Sequence, residues 1–143
     1  MKPEDKVQTP ILQFLRSRNA WHFKHAAGAN KKGIPDIICC YGGYFISIEV
    51  KRQEKSKARV DVRQKVNANH IAQNGGIAII TNDVQFVERV FDIIDHPDTY
   101  HKNDIKDTLL VNCGLGVGNK PVVYSNTNYF GIWNDILLQM VGD

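Results

Sequence analysis

Gly42-Gly43, set between the apolar runs Ile37–Tyr41 and Tyr44–Val50, restricts the fold of this chain more than any other feature. Two runs rich in Ile, Tyr and Phe around a two-residue glycine break predict a β-hairpin. With those glycines as the loop, Tyr41 faces Tyr44 and the numbers of every pair of partners sum to 85. That register sets Asp36 directly across from Glu49, with Cβ atoms ~4.5–5.5 Å apart. Alternation along the strand places Lys51 on the face of Glu49, and Tyr44, Ile46, Ile48 and Val50 on the other.

Two carboxylates held that close repel each other, so either one keeps a proton or a cation sits between them. Oxygen donors of this kind suit a hard divalent ion such as Mg²⁺, which takes a few carboxylates, waters and phosphate oxygens. An ammonium beside them, Lys51, can hold a water or stabilise phosphate charge. The chemistry this set predicts is metal-assisted phosphodiester hydrolysis.

The same residues resemble the PD-(D/E)xK nuclease superfamily. Pro35-Asp36 is followed, after twelve intervening residues, by Glu49-Val50-Lys51, inside a hairpin that opens on Gly33-Ile34-Pro35-Asp36 and closes on Ile48-Glu49-Val50-Lys51. The chain is most similar to the VRR-NUC branch, over about residues 4 to 87. Further points of likeness are Glu4, Val7 and Gln8 opening a helix, and Phe23-Lys24-His25 with Gly28 behind. Gln64 and Asn74-Gly75-Gly76 ahead of an apolar strand complete them.

The resemblance implies a restriction-endonuclease-like α/β core of αβββαβ type, a mixed sheet with a catalytic hairpin flanked by helices. It also implies a Mg²⁺- or Mn²⁺-dependent deoxyribonuclease. Asp36, Glu49, the Val50 carbonyl and Glu4 would hold the ion, Lys51 would steer the attacking water, and Gln64 would orient Lys51 or that water. Lys24, His25, Lys31, Lys32 and Arg52 are the expected DNA contacts. Junction resolvases of this kind act as two-fold dimers, so a homodimer and selectivity for branched or Holliday junction DNA are expected as well.

Composition agrees with a nucleic-acid partner and excludes others. The net charge is +3, but residues 1–65 hold 14 Lys/Arg against 6 Asp/Glu, whereas residues 66–143 hold 4 against 9. A basic half that contains the paired acids fits a polyanion, although charge alone favours a plain solvated surface. No run approaches the ~18 apolar residues of a membrane span. Met1-Lys2-Pro3-Glu4-Asp5-Lys6 lacks a signal-peptide core, and a cytoplasmic location is expected. Cys39, Cys40 and Cys113 are odd in number and without C-x-x-C spacing, so buried reduced thiols are expected.

In chain order, Pro3–Arg18 predicts a helix with Val7, Ile11, Phe14 and Leu15 inward, kinked or effectively started at Pro10. Trp21–Lys24 reads as a short strand or extended lead-in. His22 and His25 read as surface or packing residues rather than bases. Ala26–Lys32 is a loop that can grip a phosphate backbone or stay solvated. A basic loop after Lys51 leads to a helix over Asp61–Gln73, with Val62, Val66 and Ile71 inward. Ile77–Thr81 is a buried strand. Asn82 or Asp83 caps a helix carrying Val84, Val87, Phe91 and Ile94 on one stripe.

Residues 1–95 form the expected nuclease core and 96–143 an extension that packs on it or makes a dimer contact. His96, Asp98, His101 and Asp104 fit no ligand template, so that stretch reads as a connector. Thr108–Cys113 and Pro121–Tyr124 predict two strands. The intervening Gly-rich loop is no phosphate cradle, because Pro121 follows Lys120 where Ser or Thr is required, and no nucleotide cofactor is expected. Phe130–Val141 predicts an apolar-faced closing helix.

Two other functions compete with the nuclease. One is a nuclease-fold module that binds DNA without cutting, against which stands the retention of Asp36, Glu49 and Lys51 together. The other is a plain set of surface ion pairs, worth only ~0–1 kcal/mol each, which gives no reason for three chemical types to converge on one face.

Overall fold

The computed structural model describes residues 5–25, 33–53, 62–96, 108–112 and 122–125, the last two as strand backbone. The element order is α1 (Asp5–Ser17), β1 (Trp21–Lys24), β2 (Ile37–Tyr41), β3 (Tyr44–Val50), α2 (Val62–Gln73), β4 (Ile77–Thr81), α3 (Val84–Ile94), β5 (Thr108–Asn112) and β6 (Val122–Ser125). The fold is α/β, and the described residues form three helices around a mixed sheet whose strands lie side by side in chain order. β1, β2 and β3 are antiparallel neighbours. The crossover through α2 makes β4 parallel to β3, and the one through α3 makes β5 parallel to β4. β6 then returns antiparallel to β5 at the edge.

The β2–β3 hairpin has the expected register throughout, from Tyr41↔Tyr44 to Ile37↔Ile48. Both loop glycines have positive φ, +60° at Gly42 and +86° at Gly43. A two-residue turn with φ > 0 at both positions matches the right-handed twist of its strands.

The sheet divides the interior into two layers. Ile37, Cys39, Ile46, Ile48, Ile77 and Ile79 project to one side and pack with Val7, Ile11 and Leu15 of α1 and with Phe86, Val87, Val90 and Phe91 of α3. Ala78 and Ile80 project to the other side, against Ala68 and Ala72 of α2. Helix α1 runs unbroken through Pro10, so the proline does not mark its start. It ends at Asn19 in the left-handed region (φ +55°), with Ala20 N–H on the Leu15 carbonyl and Asn19 N–H on that of Arg16. Asp83 caps α3, its carboxylate accepting from the Gln85 N–H at 2.9 Å. Among the described residues no helix is long and apolar enough to cross a membrane.

Helix α2 differs from expectation in the face it buries. Val62 and Val66 are 76% and 59% exposed, while Ala68 and Ala72 are buried and Ile71 is half-buried. The cause lies in the sheet below: near its start α2 covers Glu49 and Lys51, so the helix meets them with a polar side chain, Gln64, and further along settles on Ile80 and Ala78 with alanines.

Candidate active site

The hairpin delivers Asp36, Glu49 and Lys51 to one end of the sheet. Glu49 is buried on the α2 side of β3, and Asp36 precedes β2 in the row opposite it. Backbone hydrogen bonds hold the two residues together against their mutual repulsion. Asp36 N–H donates to Glu49 Oε2 at 3.2 Å, and Val50 N–H donates to Asp36 Oδ2 at 2.8 Å. His25 N–H donates to the Asp36 carbonyl at 2.7 Å, extending the β1–β2 ladder to the site. Lys51 N–H donates to the Thr81 carbonyl at 2.8 Å, which fixes the end of β3 against β4.

Lys51 Nζ donates to Gln64 Oε1 at 2.6 Å and lies 3.8 Å from Glu49 Oε1. The Gln64 amide N–H in turn donates to Glu49 Oε1. Gln64 therefore bridges the ammonium and the buried acid. Burial, and then the neighbouring Asp36 charge, push the Glu49 carboxyl up to about 8, while Lys51 opposes them. A carboxylate that holds a proton so tightly beside a second acid is a place short of positive charge.

That shortage is the observation against which a divalent ion can be tested. Asp36 and Glu49 offer only oxygens, with no sulfur or imidazole, and among the described residues no group of three or more His, Cys, Asp or Glu is placed to hold a metal ion. Two carboxylates completed by waters and phosphate oxygens suit Mg²⁺ or Mn²⁺ and not a closed zinc site. The residues present fit the ion.

The remaining expected site residues are placed less uniformly. Arg52 follows Lys51 and is half-buried. Lys24 pairs with Ile37, whose side chain enters the α1/α3 layer, so Lys24 lies at the sheet end but in the row facing away from the acids. His22 hydrogen-bonds the Ala20 carbonyl through Nδ1 and takes no part in the site. Glu4, Lys31 and Lys32 lie outside the described residues, as do the expected 97–107 connector, the Gly-rich loop and the closing helix.

One contributor escaped sequence reasoning. Asn67 donates its side-chain N–H to the Gly33 carbonyl at 2.8 Å, anchoring the Gly33–Asp36 segment to α2. It sits three residues after Gln64, on the same helical face, and that spacing was the available signal. Gly33 itself packs against the Arg63 backbone with no room for a Cβ.

Gln64→Ala is expected to lower whatever turnover this site supports by ~10–100-fold, the usual effect of removing a group that orients a ligand residue. Ligand affinity should change little, while the melting temperature falls, because Lys51 and the buried Glu49 lose the partner they share. A proportional loss of affinity instead would make Gln64 a binding residue. Compared with known proteins, the chain matches no family model, no curated protein and no solved structure.

Proposed function

We propose that the protein is a divalent-metal-dependent DNA endonuclease of the PD-(D/E)xK, VRR-NUC-like kind. The observation that carries this reading is the convergence of Asp36, buried Glu49 and Lys51 on one sheet end, with Gln64 joining the last two. Asp36 and Glu49, with the Val50 carbonyl, would hold Mg²⁺ or Mn²⁺. When bound, such an ion polarises the scissile phosphate and stabilises its developing charge.

The chain's own residues supply the rest. The Lys51 ammonium, held by Gln64, is aimed at the same space as the acids, where it positions a water and balances charge on phosphorus. The water oxygen bonds to phosphorus as the P–O3′ bond breaks; the water gives up one proton to solvent and the departing O3′ takes one from solvent, leaving a 5′-phosphate and a 3′-hydroxyl. Selectivity for branched or Holliday junction DNA and action as a homodimer belong to the same proposal. One small chain presents one such centre, so paired cuts require two copies.

The test is cleavage of labelled linear, flapped and four-way DNA side by side, with Mg²⁺, with Mn²⁺ and with a chelator. Strand scission dependent on the ion is expected. Binding without scission under every condition would replace the nuclease with a DNA-binding module.

A further inference from the structure

Among the described residues, helix α2 packs on β3, β4 and β5, and the same face of the sheet carries exposed aromatic side chains over β1 and β3. Paired residues of antiparallel strands project to the same face, so the register defines rows across β1, β2 and β3. One row is Trp21–Cys40–Phe45, the next Phe23–Ile38–Ser47, and the next holds Asp36 and Glu49. Rows two residues apart lie roughly 7 Å from each other. Trp21 is 64% exposed, Phe23 54% and Phe45 47%. The rings therefore form a platform running straight into the candidate active site.

Phe45 is shared with a groove of about 620 Å³ between the hairpin and α2, lined also by Ile34, Ile38, Ile71, Asn67 and His70. That volume falls in the range of small-ligand pockets, with an apolar wall and a few polar groups. Among the described residues, the helix flanking the groove is basic in composition. α2 contains Arg63, Lys65 and His70 and no Asp or Glu. The acids Glu88 and Asp92 are on α3, with Asp83 and Asp95 at its ends, beneath the opposite face of the sheet.

We propose that this face binds an unpaired nucleic-acid strand. Its bases stack on Trp21 and Phe23 and one enters the groove past Phe45, which sets a backbone phosphate at Asp36, Glu49 and Lys51. This rests on the nuclease reading and narrows its substrate to DNA with unpaired bases beside the scissile bond. Aromatic faces accept any base, and a basic flank follows the backbone, which is the pairing of features that single-strand binders use. A duplex keeps its bases stacked inside and cannot use the rings.

The experiment measures binding of a fluorescein-labelled oligothymidine strand and of a duplex of equal length by anisotropy, in chelator so that nothing is cut. Wild type is compared with Trp21→Ala, Phe23→Ala and the double variant, each checked for an unchanged melt. Each ring removed is expected to weaken single-strand binding by about tenfold, with duplex binding unaltered. Equal single-strand affinity in all four proteins would overturn the inference. So would loss of a dimer in the variants by sedimentation without loss of strand affinity, since the rings would then join two copies of this chain. Because the readout is metal-free binding, ring-dependent binding without cleavage sinks the nuclease reading alone. Cleavage that ignores the rings sinks this inference alone.

Discussion

Glu49→Gln is expected to reduce metal-dependent cleavage by about 10³-fold while making the metal-free protein more stable at pH 8. The two effects have one cause. Burial and Asp36 raise the Glu49 carboxyl from an ordinary 4.5 to about 8, so the folded state binds a proton that the unfolded state releases between those values. The native protein then holds more protons than the unfolded one, and stability falls as pH rises. Glu49's contribution is complete below pH 4.5 and is lost progressively on the way to pH 8. The change is on the order of a few kcal/mol.

An uncharged isostere removes that decline together with a ligand. Thermal melts in chelator should show wild type losing stability from pH 4.5 to pH 8 and Glu49→Gln losing less. Added Mg²⁺ should recover stability in wild type at the upper pH, by mass action on the folded state, and leave the variant unmoved. A variant that cuts like wild type refutes the ligand role. Parallel pH profiles for the two proteins refute the electrostatic account of the site.

Parts of this arrangement were readable from residues alone, and the boundary has a physical basis. The hairpin register follows from local rules, since two glycines with positive φ leave one alignment and that alignment opposes Asp36 to Glu49. The same holds for the stripe of α3, where Val87, Phe91 and Ile94 are all buried. The buried face of α2 did not follow, because periodicity assumes that an interior is apolar. Over Glu49 and Lys51 the interior is polar, so Gln64 turns inward and Val62 and Val66 turn out. The aromatic rows were hidden for a related reason. Alternation shows which residues share a face, but where α2 stops covering that face is a matter of tertiary packing.

Gly33→Ala is the second large effect, and it acts on the site without touching its chemistry. Gly33 has φ +86°, and a Cβ there would come within 2.7 Å of Arg63 Cβ, 2.8 Å of the Arg63 carbonyl carbon and 2.9 Å of its oxygen. Two of those three atoms are backbone in the first turns of α2, so no rotamer change relieves the contact. The left-handed conformation costs an alanine ~1–2 kcal/mol, and forcing a methyl into a closed contact adds ~1–3 kcal/mol. Destabilisation of ~2–5 kcal/mol is expected by denaturant titration.

The direction of the forced movement matters more than its cost. Either α2 lifts, drawing Gln64 away from Glu49 and Lys51, or the Gly33–Asp36 segment retreats, loosening Asp36 from Glu49 and the Val50 N–H. The first route breaks the Gln64 link between Lys51 and Glu49 and the second draws Asp36 away from both, so activity should fall further than the folded fraction does. Asn67→Ala removes the hydrogen bond across the same contact without adding bulk, and should give a milder version of the same defect. If Gly33→Ala lost activity only in proportion to its unfolded population, close packing of α2 on this segment would be a requirement of folding and not of the site's alignment.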